Sequence, residues 1–276
     1  MQKFIKKIIV FTILAFVFIE ALSSLLIYTD LYLMSYPGSE VYHSIEKSKR
    51  KNGSKILVLG DSVGKQIFSN TTFNDTINSL ACNQAVGLVG QYILLNNYVN
   101  VGNSVDTVFL IMRPFSFRNN LDQKSTYHYF PKPFYRSEYS FMFTETVFHQ
   151  IRKIPYNQFS KIPHILATSW APEFMSEDGI DYTFLSPISV EYLMKIKELS
   201  KRYQFKIIIL PTPLSIEKKY LIDNMDRKEI VGSGLENEFA HYFQNIVYLD
   251  SAQFSDGSHL LHPEYYTRYY KSKFMN

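Results

Sequence analysis

The stretch Lys55-Ile56-Leu57-Val58-Leu59-Gly60-Asp61-Ser62-Val63-Gly64 decides the fold of this chain. Its first half is short and almost wholly apolar, as a strand buried on both faces of a parallel sheet must be. Its second half turns to glycine, an acid and a hydroxyl, the composition of a tight turn into a capped helix. Such a strand–turn–helix places Ser62 at the carboxyl end of a parallel strand, where open α/β sheets bind ligands. The helix that follows brings unpaired backbone N–H groups, which stabilise a developing oxyanion. Alone, Gly-Asp-Ser is also what a simple capped turn looks like.

Outward from this stretch the same alternation continues. Residues 105–112 (Val-Asp-Thr-Val-Phe-Leu-Ile-Met), 206–210 (Lys-Ile-Ile-Ile-Leu, stopped by Pro211) and 245–249 are further strand-like runs. Between them, residues 91–101, 189–203, 235–244 and 264–274 are of helix length. In 189–203, Tyr192, Leu193, Ile196 and Leu199 share one helical face, and Glu191 and Lys195 stand four apart, as an ion pair would. Strands alternating with helices predict a parallel sheet covered by helices. Residues 115–185 break the pattern and are rich in Tyr, Phe and Pro, as in Tyr127-His128-Tyr129-Phe130-Pro131-Lys132-Pro133-Phe134-Tyr135. This is too long for an ordinary connection and reads as an insertion over the sheet, its aromatics serving packing or stacking on sugar rings.

Before the sheet, Lys3, Lys6 and Lys7 precede an apolar run over residues 8–28. As a helix these residues span about 31 Å, the thickness of a hydrocarbon core. The basic head predicts a cytoplasmic N-terminus and an exported C-terminal domain. Glu20 interrupts the run, and Ala21-Leu22-Ser23 leaves a cleaved signal peptide as the alternative. The expected division is an anchor over 1–29, a connector over 30–54 and an α/β domain over 55–276. The charge run Glu46-Lys47-Ser48-Lys49-Arg50-Lys51 reads as a solvated part of the connector.

Composition narrows the function. The chain has 276 residues, 46% hydrophobic and 20% charged, which excludes a disordered chain. The net charge of +4 is dispersed, so no nucleic-acid partner is expected. One cysteine, Cys82, excludes an internal disulfide and a Cys-rich zinc site; among apolar neighbours it reads as a buried thiol. Neither a His-Glu-x-x-His helix nor a Gly-x-x-x-x-Gly-Lys-Ser loop occurs, so no metal and no cofactor are expected. His43, His128, His149, His164 and His241 are scattered as ordinary residues are.

The second chemical motif is Phe254-Ser255-Asp256-Gly257-Ser258-His259-Leu260. An Asp three residues before a His orients the imidazole from the same turn, and such a base is what a serine hydroxyl needs to become a nucleophile. His262 is the competing base. Together, strand-Gly-Asp-Ser near the start and Asp-x-x-His-Leu near the end resemble the SGNH hydrolase family, also called GDSL-type esterases.

The resemblance covers residues 55–274 and is close only at the two end motifs. It implies a three-layer α/β/α flavodoxin-like domain, with Ser62 as nucleophile, His259 as base and then acid, and Asp256 as its orienter. It also implies an oxyanion hole from the Ser62 N–H, a glycine and an asparagine. Gly87 is the first choice for the glycine and Gly90 the second. No asparagine block matches after Met112; Asn119 or Asn120 serves only if the loop turns back, and Arg113 is an alternative donor. The implied activity is a serine esterase or O-acetyltransferase on cell-envelope carbohydrate. Its partners would be an acylated carbohydrate or acyl donor, with a membrane acyl-transfer partner. The unmatched block leaves two further readings: a catalytically impaired accessory protein of envelope assembly, or another enzyme such as a lipase-like esterase.

Overall fold

The structure, a computed structural model, describes residues 1–29, 39–70, 76–122, 126–153 and 184–275. Four strands form one parallel sheet: β1 (Ile56–Gly60), β2 (Ile77–Ser79), β3 (Thr107–Met112) and β4 (Lys206–Pro211), in the order β2-β1-β3-β4. Gly60 pairs with Ile111, and Ile111 with Leu210, so the carboxyl ends of the three longer strands are level. Two further short strands, β5 (Leu214–Ser215) and β6 (Tyr248–Leu249), pair in parallel with each other.

Strand side chains alternate between two cores, as the two-residue period of a strand requires. Leu57, Leu59, Val108, Leu110 and Ile209 enter the larger core, with helices α4 (Gly87–Asn100), α6 (Pro187–Tyr203) and α7 (Glu236–Gln244). Val58, Phe109, Ile111 and Leu210 enter the smaller one, with α3 (Ser62–Ile67) and α8 (Pro263–Phe274). Helices thus cover both faces. The chain leaves β1 for β2 on one side and crosses back to β3 on the other, so the strand order reverses between β1 and β3. Crevices at such reversals are where open sheets hold ligands.

Two expectations need correction, that for the connector and that for the Glu191/Lys195 pair. The expected connector is not a spacer throughout: residues 39–48 form a helix, α2 (Ser39–Ser48). Its Val41 and Ile45 belong to the larger core, packed with α4. Within the charge run, Lys47 is buried, its ammonium donates to the Asn70 carbonyl (3.2 Å), and burial pulls its pKa down to about 8. Of the two readings open for the aromatics of 115–185, packing holds for those described in 115–153: Phe117, Phe130, Phe134 and Tyr139 join the larger core. Residues 154–183 of the expected insertion lie outside the described residues. Glu191 does not serve Lys195; it accepts from the Thr144 and Thr146 hydroxyls (2.6 Å each), ahead of and within α5 (Glu145–Arg152), and so fastens that stretch to α6. Lys195 lies over the Tyr92 and Tyr192 rings.

Helix α1 (Gln2–Thr29) contains a stretch, Gln2–Leu26, long and apolar enough to cross a membrane.

Candidate active site

The turn between β1 and α3 is held from three sides. Asp61 is fully buried and caps α3: its Oδ1 accepts the N–H groups of Val63 (3.0 Å) and Gly64 (3.1 Å). Its Oδ2 accepts from the Arg113 N–H (2.8 Å) and the Ser116 hydroxyl (2.6 Å), and faces the Arg113 guanidinium at 3.5 Å. A buried carboxylate is tolerable because every lone pair finds a donor and the charge finds a cation. The turn also lies hard against β3. A Cβ on Gly60 or Gly64 would stand 2.2 or 2.5 Å from the Ile111 carbonyl oxygen, so only glycine fits at either place. The Gln91 side chain holds both the N–H (3.2 Å) and the carbonyl (2.9 Å) of Gly60.

Ser62 therefore begins α3 in a fixed position, and the C-terminal motif comes to it. His259 Nε2 lies 3.0 Å from Ser62 Oγ, across 197 residues of sequence. His259 Nδ1 lies 2.7 Å from Asp256 Oδ2. The other Asp256 oxygen accepts the Ser258 (3.0 Å) and His259 (2.8 Å) N–H groups, so the short turn orients its own carboxylate. These bonds, that to the His259 side chain foremost, lower the Asp256 pKa to about 2. With Nδ1 protonated toward Asp256, Nε2 is left to accept the Ser62 proton, the arrangement that general-base activation of a serine requires. The competing His262 instead pairs with Glu264 (3.3 Å).

Gln66, one turn after Ser62, grips the far side of the motif. Its Oε1 accepts the Leu260 N–H (3.0 Å), and its Nε2 donates to the Leu260 carbonyl (3.5 Å). One helix thus carries Ser62 and holds the residue next to His259.

The expected oxyanion donors fare unequally. Among the described residues no acceptor takes the Ser62 N–H. Gly87 has φ +62° and ψ 179°, a conformation essentially reserved for glycine, but its N–H is given to the Gln84 carbonyl. Gly90 is a packing glycine: a Cβ there would meet Val86 at 2.1 Å and Phe134 at 3.2 Å. The loop after β3 does turn back. Asn119 is buried, and one of the two Nδ2 hydrogens is donated to the Gln84 carbonyl (2.9 Å). Asn120 Oδ1 accepts from the Ile188 N–H (3.4 Å). Arg113 hydrogen-bonds the Gln84 side chain while it faces Asp61.

Neither protein-family models nor curated proteins give a match to this chain.

Cys82 is buried against Gln91, and burial pushes its thiol up to about 12, which leaves it inert. Among the described residues no three His, Cys, Asp or Glu side chains group as metal ligands. Sequence reasoning does not assign roles to Asp61, Gln66 and Gln91. Asp61 stands inside the quoted motif at a capping position, which is the available signal. Gln66 and Gln91 carry none, because their partners are distant in sequence.

Proposed function

We propose that this chain is a serine acyl-transfer enzyme of the SGNH hydrolase type. The observation that carries this reading is the line Asp256–His259–Ser62, with successive contacts of 2.7 and 3.0 Å at the carboxyl edge of β1. The strand order β2-β1-β3-β4, with the site at the β1/β3 reversal, supports a flavodoxin-like sheet. In the reaction, His259 Nε2 takes the Ser62 proton as Oγ bonds to the ester carbonyl carbon. The carbonyl oxygen becomes an oxyanion facing the Ser62 N–H. The tetrahedral centre collapses, the ester C–O bond breaks, and His259 returns the proton to the leaving alkoxide. A second hydroxyl, from water or a sugar, then gives its proton to His259 and removes the acyl group. Water makes the protein an esterase; a cell-envelope carbohydrate makes it an O-acyltransferase. Helix α1 anchors it in this reading, with the domain exported.

One observation favours a second reading. The Gly87 N–H is spent on the Gln84 carbonyl, which removes one of the donors expected beside the Ser62 N–H. Losing one such donor costs about 10²–10³ in rate. A catalytically impaired accessory protein of envelope assembly fits that deficit.

Labelling with a fluorophosphonate separates the two. A single adduct on Ser62, absent in Ser62→Ala and His259→Ala, is expected for the enzyme. Both variants should lose turnover of a soluble ester on the order of 10⁵-fold with melting temperature nearly unchanged. Absence of an adduct on folded protein selects the accessory role.

A further inference from the structure

The chain enters the domain beside the candidate nucleophile. Helix α2 starts at the catalytic edge, where Glu40 pairs with Lys65 at 3.5 Å, one helical turn along α3 from Ser62. The Glu40 carbonyl and the Ser44 hydroxyl both accept from the Asn70 amide, at 3.0 and 2.8 Å. From there α2 runs away from that edge. Ser48, at its end, accepts from Asn97 near the end of α4 (3.2 Å), and Asn52 then bonds Asn103 (2.7 Å) before β1 begins. Helix α2 therefore begins at the top of the sheet, not at the bottom where β1 starts.

The covalent path from Thr29 to Glu40 is short. Eleven residues of fully extended chain reach about 40 Å at most. A domain of this size is roughly 45 Å across. A chain attached at the pole away from the bilayer would have to pass around half a circumference, roughly 70 Å for that diameter. The path is too short for that. Next to His259, Leu261 (51% exposed) and Tyr265 (60% exposed) present apolar surface on the same edge. Tyrosine and leucine at a rim suit the boundary between headgroups and acyl chains.

We infer that the domain is tethered by its catalytic edge, so that Ser62 faces the bilayer and takes its acyl group from an ester carried in the leaflet. This rests on the proposed anchor and on the acyl-transfer reading. The acyl bond to the lipid-borne alcohol breaks, the bond to Ser62 Oγ forms, and the alcohol leaves with the proton held by His259.

The test uses the full chain in phosphatidylcholine vesicles with an acceptor dye on a small fraction of the headgroups. Donor dyes are placed singly through Leu261→Cys, beside the site, and Asp106→Cys, exposed at the opposite edge of the sheet. Native Cys82 is buried and stays unlabelled. Stronger energy transfer from position 261 than from 106 is expected. Equal or reversed transfer overturns the orientation, and failure of the chain to float with vesicles overturns the anchor beneath it. An added Gly/Ser segment of about twenty residues within 30–38 should weaken transfer from 261. It should also lower turnover of a vesicle-embedded fluorogenic ester roughly tenfold, with a soluble nitrophenyl ester unaffected. Equal turnover of the embedded ester with and without the insert overturns the lipid-borne donor. Loss of soluble-ester turnover in the unmodified chain overturns the acyl-transfer reading, and the energy-transfer result then reports orientation alone.

Discussion

At Asp61, replacement by Asn keeps the size of the side chain but turns one oxygen into a donor facing the Arg113 N–H. The Arg113 guanidinium is left buried without its carboxylate. Asp61→Asn should therefore destabilise the protein by about 3–5 kcal/mol, the usual cost of removing one member of a buried ion pair, and lower the urea midpoint. Asp256 behaves differently because it is mostly exposed. Its pKa falls from 3.8 to about 2 on folding, so the stability it adds is present above pH 3.8 and lost as the pH falls toward 2. Acid unfolding curves of the native protein and Asp256→Asn should be separate above pH 4 and merge near pH 2. The legibility of the two residues differs for the same reason. Asp256 acts on a histidine three residues away, a spacing visible in sequence. Asp61 acts on Arg113 and Ser116, 52 and 55 residues away, which only the sheet brings near.

Between elements, the Gln66 grip on Leu260 joins α3 to the loop of the base. Gln66→Ala frees that loop, and small displacements of a catalytic group cost up to about 10²-fold. Turnover of the soluble ester should slow by about one to two orders of magnitude, with KM and melting temperature little changed. Gln66→Glu, which keeps the acceptor for the Leu260 N–H, should recover part of it; a loss confined to melting temperature would assign Gln66 a packing role. Helices 189–203, 235–244 and 264–274 and the three long strands were legible because each carries its period on its own residues. Helix α2 was not. It buries only Val41 and Ile45 among large apolar side chains, and the charge run over its last turn masks them. Strand β2, three residues long, offers too little pattern to read.

For the molecule as a whole, the corrected boundary matters most. A chain starting at residue 30 should fold and label at Ser62 as the full chain does. One starting at residue 50 loses Val41 and Ile45, about 3–6 kcal/mol of apolar burial against a typical total of 5–15. It should give a poorly cooperative melt by circular dichroism. Ser62 and His259 were legible within two end motifs, and the α/β alternation between them implied that the two side chains meet. The oxyanion donors were not legible, because their availability depends on which carbonyl each N–H has already found. Ser62 and His259 stand 197 positions apart, and that separation imposes an order in time. Synthesis runs from the N-terminal side, so Ser62 exists for the whole of that interval without the imidazole beside it. In the acyl-transfer reading, a product broken off anywhere before residue 256 keeps an ordinary, unactivated serine.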